Sequence, residues 1–193
     1  MNIDTTLREL GTVDIEALQQ AVLAQDEAAW LEQTHRQQAY DVHYNTQSIV
    51  LVFCDGWPEM TITKEPGWDR LAEVAVPVMH DIIERFYPKG GTIIRAMAAK
   101  LVAGGRITPH IDSHPSFRQS HRIHIPVTSN SGVRFMIDGR PYQFEVGQAY
   151  EINNQKRHSV MNRGKEDRIT FIFDYAPPGA IDRDVQAQIQ TPG

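Results

Sequence analysis

Apolar and polar positions divide this chain into two textures. In the first part the apolar residues recur at helical spacing. Ile15, Leu18, Val22 and Leu23 form one such set, and Ala28, Ala29, Trp30 and Leu31 follow Asp26, a helix-capping residue type. The pattern predicts a small helical element over residues 13–38, after a loose start over residues 1–10. Residues 48–54 are a short β-branched apolar run and read as a buried strand, ended by Asp55-Gly56 and Trp57-Pro58. Residues 69–86 place Leu71, Ala75, Val78, Ile82 and Phe86 on one helical face. Pro77 falls inside that pattern and predicts a kink there or a start near it. Pro88 and Gly90-Gly91 close the helix.

From Thr92 onward the pattern shortens to many strands. Residues 92–102, 120–127, 133–137, 140–146, 148–152, 159–162 and 168–175 each read as one, and Asp138-Gly139 between the third and fourth is a hairpin turn signal. Short strands separated by turn residues predict a sandwich or barrel. Pro177-Pro178-Gly179 ends this core, and residues 180–193 read as a polar tail. The whole is one domain over residues 1–193: a helical and strand support region over 13–90, a β core over 92–176, then the tail.

Composition narrows the class. The chain has 193 residues, 41% of them hydrophobic, which suffices for a sizeable core. A net charge of −5 argues against a nucleic-acid partner, which selects a basic face. The single cysteine, Cys54, excludes an intrachain disulfide and fits a reducing compartment. The first residues contain no apolar core of signal-peptide length, and no apolar run approaches the ~20 residues of a membrane helix. The expectation is a cytoplasmic protein with no membrane partner; a homodimer is one open form of assembly.

The candidate chemistry centres on Arg106-Ile-Thr-Pro-His110-Ile-Asp112. In an extended segment His110 and Asp112 point to one side. With His158 they form a set of two histidines and one carboxylate, the ligands of a non-haem Fe(II) facial triad with open positions. The bare His-x-Asp pair also fits two surface loop residues. On the strand at 120–127, Arg122 and His124 share one face, with Ile123 and Ile125 on the other. On the strand at 168–175, Arg168 shares a face with Thr170 and Ile172, opposite Ile169, Phe171 and Phe173. An arginine inside an apolar strand needs an anion, and a dicarboxylate would supply one bidentately. The plainer alternative pairs Arg168 with Glu166 or Asp167 at the wet end of the strand and leaves Arg122 exposed. His35, His43 and His80 read as surface or satisfied core residues. His114 and His121 stay open as groups near the site.

Over roughly residues 94–175 these pieces resemble the aspartyl/asparaginyl β-hydroxylase family of Fe(II)- and 2-oxoglutarate-dependent dioxygenases, in its bacterial, proline-hydroxylase-like branch. The matching motifs are Thr108-Pro-His110-Ile-Asp112, Ser120-His-Arg122-Ile-His124-Ile-Pro, Gly147-Gln-Ala-Tyr-Glu-Ile-Asn-Asn, Arg157-His158-Ser-Val-Met-Asn162 and Arg168-Ile-Thr-Phe-Ile-Phe-Asp174. The resemblance implies a mainly β fold with flanking helices, a double-stranded β-helix or cupin-like jelly roll. It implies Fe(II) on His110, Asp112 and His158. It implies that Arg168 binds 2-oxoglutarate, with Arg122 and His124 lining that pocket, and that O2 is the oxidant. The expected activity hydroxylates an amino acid, peptide or protein side chain, with succinate and CO2 as co-products. Arg118 and His121 are candidate substrate contacts, and Asn153, Asn154 and Asn162 candidate groups for orienting the ligands. Animal members have glycine where this chain has Asp112, which points away from their epidermal-growth-factor-domain substrate. The competing class is a non-catalytic, cupin-like metal-binding or sensing module, for which a dicarboxylate clamp would have no use.

Overall fold

The computed structural model describes residues 3–32 and 46–181. His35, His43, the end of the expected element over 13–38 and most of the expected tail lie outside them. Two antiparallel sheets face each other. The large sheet has seven strands in the order β1-β9-β6-β11-β4-β2-β3, and the small sheet four, β5-β10-β7-β8. The large-sheet strands are β1 (Leu7–Thr12), β2 (Thr46–Asp55), β3 (Thr61–Lys64), β4 (Thr92–Leu101), β6 (His121–Pro126), β9 (Gln148–Ile152) and β11 (Arg168–Ala176). The small sheet holds β5 (Arg106–His110), β7 (Val133–Ile137), β8 (Arg140–Tyr142) and β10 (His158–Asn162). Helices α1 (Glu16–Leu23), α2 (Glu27–Leu31) and α3 (Gly67–Phe86) accompany them. This is a double-stranded β-helix with helices on the outer face of the large sheet.

The two faces of that sheet follow from alternation. Ile123, Ile125, Ile169, Phe171 and Phe173 join the cluster that also contains Leu71, Ala75, Met79 and Ile82 of α3. The opposite faces of β6 and β11 turn Arg122, His124, Arg168 and Ile172 toward the small sheet, where they line an internal cavity with His110 and His158. A smaller apolar cluster around Phe135, Phe144, Tyr150 and Val160 fills the rest of the inter-sheet space.

Three expectations about elements change. Residues 7–12 are not loose: Leu7–Thr12 pairs antiparallel with β9, a long-range pairing that its mixed polar sequence does not announce. Helix α3 starts at Gly67 and runs through Pro77 without ending. The second hairpin arm is only Arg140–Tyr142, although Asp138 and Gly139 both adopt the positive φ of 52° and 78° that the tight turn demands. Asp26 does cap α2, its side chain accepting from the Ala29 amide at 2.9 Å.

Candidate active site

The three candidate ligand side chains meet at the end of the small sheet. In the β5–β10 ladder His110 stands directly opposite His158, which brings their ring centroids to 4.4 Å. Strand β5 ends at His110, so Asp112 lies just beyond it in irregular backbone. Its amide donates to the Asn154 carbonyl at 3.1 Å, and the Gln155 side-chain amide donates to its carbonyl at 2.9 Å. Asp112 Oδ1 then sits 3.6 Å from His110 Nε2 and 3.8 Å from His158 Nε2. One ligand atom from each residue lies within 4.8 Å of the others, a spacing that could hold a metal ion. Both rings are set for that task. His110 Nδ1 lies 2.8 Å from the Thr108 carbonyl and His158 Nδ1 2.9 Å from the Lys156 carbonyl. A carbonyl only accepts, so Nδ1 donates in each ring, which leaves Nε2 as the atom each ring offers to a metal. Burial pushes His158 below its ordinary pKa, against the attraction of Asp112, and favours the neutral form a metal requires.

The cationic end of the cavity lies deeper. Arg168 is 4% exposed, and its guanidinium makes no hydrogen bond or ion pair with any described residue. Burial alone lowers its pKa to about 10, so it remains a cation at neutral pH. Asp167 does not meet it; its carboxylate accepts from the Ala103 amide instead. Both ring nitrogens of His124, and Thr170 Oγ1 on the Arg168 face of β11, are buried without a hydrogen-bond partner among the described residues. Burial, together with Arg122, Arg168 and His158, holds His124 well below its ordinary pKa and therefore neutral. Unmet donors beside an uncompensated cation form a cradle for an anion with several acceptor oxygens.

The family model described as aspartyl/asparaginyl beta-hydroxylase matches residues 12–178. The chain belongs to this family. It is a 2-oxoglutarate-dependent hydroxylase, and the donor set and the unmet cation both fit that chemistry. No curated protein matches the hydroxylase by sequence. Among solved structures it is similar to an oxidoreductase of the 2OG-Fe(II) oxygenase family from Burkholderia pseudomallei (TM-score 0.55, 14% identity, 72% of this chain and 71% of that one). It is similar to the non-heme monooxygenase ThoJ in its nickel complex (TM-score 0.56, 15% identity, 90% and 74%). It is also similar to the viral collagen prolyl hydroxylase of Paramecium Bursaria Chlorella virus-1 in a 2OG complex (TM-score 0.51, 9% identity, 90% and 97%). At these identities the likeness shows the fold. Oxygenases of this class in general use iron and 2-oxoglutarate.

In the hydroxylase Arg122 lines the cavity but is already engaged by two carboxylates. Its Nε and Nη2 donate to Asp174 at 2.8 and 2.9 Å, and its Nη1 lies 3.2 Å from Asp112 Oδ2. Burial opposes its charge, but Asp174 and Asp112 outweigh this and raise its pKa. Arg118 is exposed and donates to the Gln155 side chain at 3.3 Å, beside the residue that holds Asp112. His121 lies on the other face of β6, away from the cavity. There it meets buried Glu151 and packs at 4.6 Å, tilted, against Tyr87, which follows the end of α3. Strand parity already separates it from Arg122 and His124. The expected asparagines act differently from one another. Asn154 holds Asp112 through its backbone, whereas Asn162 donates to the carbonyls of Leu101, Val102 and Glu166 and braces a turn. His80 lines a surface groove beside α3.

Sequence reasoning missed Asp174 and Arg95. Asp174 is paired in register with Arg95 on one side and Arg122 on the other. The signal was present in part, since Asp174 continues the alternation of Arg168, Thr170 and Ile172. Arg95 had none, because nothing local shows what stands across from it.

Proposed function

We propose that this enzyme hydroxylates an amino acid, peptide or protein side chain at the expense of O2 and 2-oxoglutarate, releasing succinate and CO2. His110 and His158 through Nε2, and Asp112 through Oδ1, would hold Fe(II). Fe(II) there would activate O2 for delivery of one oxygen atom to a C–H bond and the other to the co-substrate. The rest of the task belongs to the protein. Arg168 grips the distal carboxylate of 2-oxoglutarate with its guanidinium fork, and His124 and Thr170 offer further hydrogen bonds. Arg122 lines the same pocket and steadies Asp112. The apolar wall of Phe135, Val160 and Ile172 keeps water from the reacting groups. The observation that supports this reading best is Arg168: a buried cation that no described carboxylate meets, in the cavity that His110 and His158 also line. A structural metal centre would need no such group.

Release of succinate from 2-oxoglutarate with Fe(II) and ascorbate tests the activity, and His158→Ala should abolish it. Full turnover in that variant would overturn the ligand assignment. Arg118, hydrogen-bonded to Gln155 beside Asp112, is proposed to hold a carboxylate of the substrate. Screening free amino acids and peptides for succinate release, followed by mass analysis for a gain of one oxygen, identifies the substrate. Arg118→Ala should then raise its KM and leave 2-oxoglutarate affinity intact.

A further inference from the structure

The loop from Asp112 to Ser116 is fastened at both ends to one row of buried charges. Asp112 lies beyond the end of β5, so no strand ladder fixes its side chain. Its Oδ2 meets Arg122 Nη1 at 3.2 Å. Arg122 in turn is held bidentately by Asp174, which is fully buried. Asp174 Oδ2 is also 3.6 Å from Arg95 Nη1. Arg95, 4% exposed, donates to Ser116 Oγ at 2.8 Å and to the Cys54 carbonyl at 3.1 Å. Ser116 belongs to the 3-10 turn Pro115–Arg118, which carries Arg118. Phe117 from the same turn lies against both guanidinium groups, 4.5 Å from Arg95 and 4.4 Å from Arg122.

Arg95, Asp174 and Arg122 occupy directly paired positions on β4, β11 and β6, in the middle of the large sheet. They are thus held by ladders on neighbouring strands, whereas the two groups they hold sit outside any strand. The ion pair draws one carboxylate oxygen toward Arg122 without a hydrogen bond to it, and leaves the other oxygen on the side of the two Nε2 atoms. The same row ends on the Pro115–Arg118 turn.

We propose that Asp174 is a positioning residue that, through Arg122, fixes the carboxylate ligand Asp112 and, through Arg95 and Ser116, makes that ligand and the Pro115–Arg118 turn one mechanical unit. Occupation of the metal site therefore orders the turn, and the turn's order feeds back on metal affinity. This rests on the reading of His110, Asp112 and His158 as metal ligands.

Anaerobic calorimetry with Co2+ alone, followed by hydrogen exchange of the residues 113–120, tests it on the full chain. Wild type should bind Co2+ and slow exchange in this turn by about tenfold. Asp174→Asn should weaken Co2+ binding by about 10–100-fold, the usual size of such an effect. An unchanged affinity in folded Asp174→Asn, with only a lower Tm, would make Asp174 merely structural and overturn the proposal. Ser116→Ala leaves the charge row intact, so it tests the coupling even if Asp174→Asn does not fold. It should still bind Co2+, with the affinity lowered only by the lost coupling, and lose the metal-induced protection; full protection would sink the coupling. His158→Ala separates the two readings. If it binds Co2+ as wild type does, the ligand assignment fails. If it loses Co2+ while Asp174→Asn does not, only the positioning role fails.

Discussion

Arg168 carries a charge into the interior where no described carboxylate meets it, and that sets up two measurable consequences. An unmet buried cation destabilises the free protein, so Arg168→Met should raise its stability by about 1–3 kcal/mol. The same change should remove the rise in Tm that 2-oxoglutarate produces in wild type, and raise the KM for 2-oxoglutarate at least about tenfold. Thermal melts with and without the co-substrate read both effects. His124 gives a pH dependence. Its folded pKa lies well below that of the unfolded chain, so the unfolded state takes up the proton first. Its contribution is fully present above about pH 6.5 and is lost as pH falls below that value, with a slope of about 1.4 kcal/mol per pH unit. Urea titrations of metal-free protein from pH 7.5 to 5 should show this slope, and His124→Gln should flatten it by one proton.

At the scale of elements, close approach matters more than propensity. The first turn of α3 lies so near β2 that a Cβ on Gly67 would stand 2.4 Å from the Val50 carbonyl oxygen. Gly67→Ala should cost about 1–3 kcal/mol by pushing the helix off the sheet, although alanine is the better helix former. Equilibrium denaturation checks the sign, which intrinsic propensity would predict in reverse. The hairpin at Asp138-Gly139 and the alternation of β6 and β11 were legible because each depends on neighbours in sequence. The pairing of β1 with β9 was not, since the register that rescues Leu7–Thr12 as a strand joins residues at opposite ends of the chain. The helical face over residues 69–86 was legible, whereas a start near Pro77 was one reading of the local rule that the structure excludes: burial of Leu71, Ala75, Val78 and Ile82 along one face holds the helix together through the proline.

For the whole molecule, metal and fold are linked. A divalent ion that binds the folded ligand set but not the open chain raises stability by about 2.7 kcal/mol at one hundred times its Kd. Wild type should melt higher with Co2+ than with chelator, and His110→Ala should lose the difference. Among the described residues no helix is long and apolar enough to cross a membrane. What the amino-acid order determined by itself was the set of groups and their faces. Two histidines, an aspartate and a buried-strand arginine are chosen by chemistry, and strand parity alone turns Arg122, His124 and Arg168 away from the apolar residues between them. Only the tertiary structure decided which groups meet. It set His110 opposite His158 across a ladder, left Arg168 unmet, turned His121 to the other side of its sheet and aligned Arg95, Asp174 and Arg122 across neighbouring strands. The reason is physical: alternation is a property of one strand, whereas register is chosen by the packing of several.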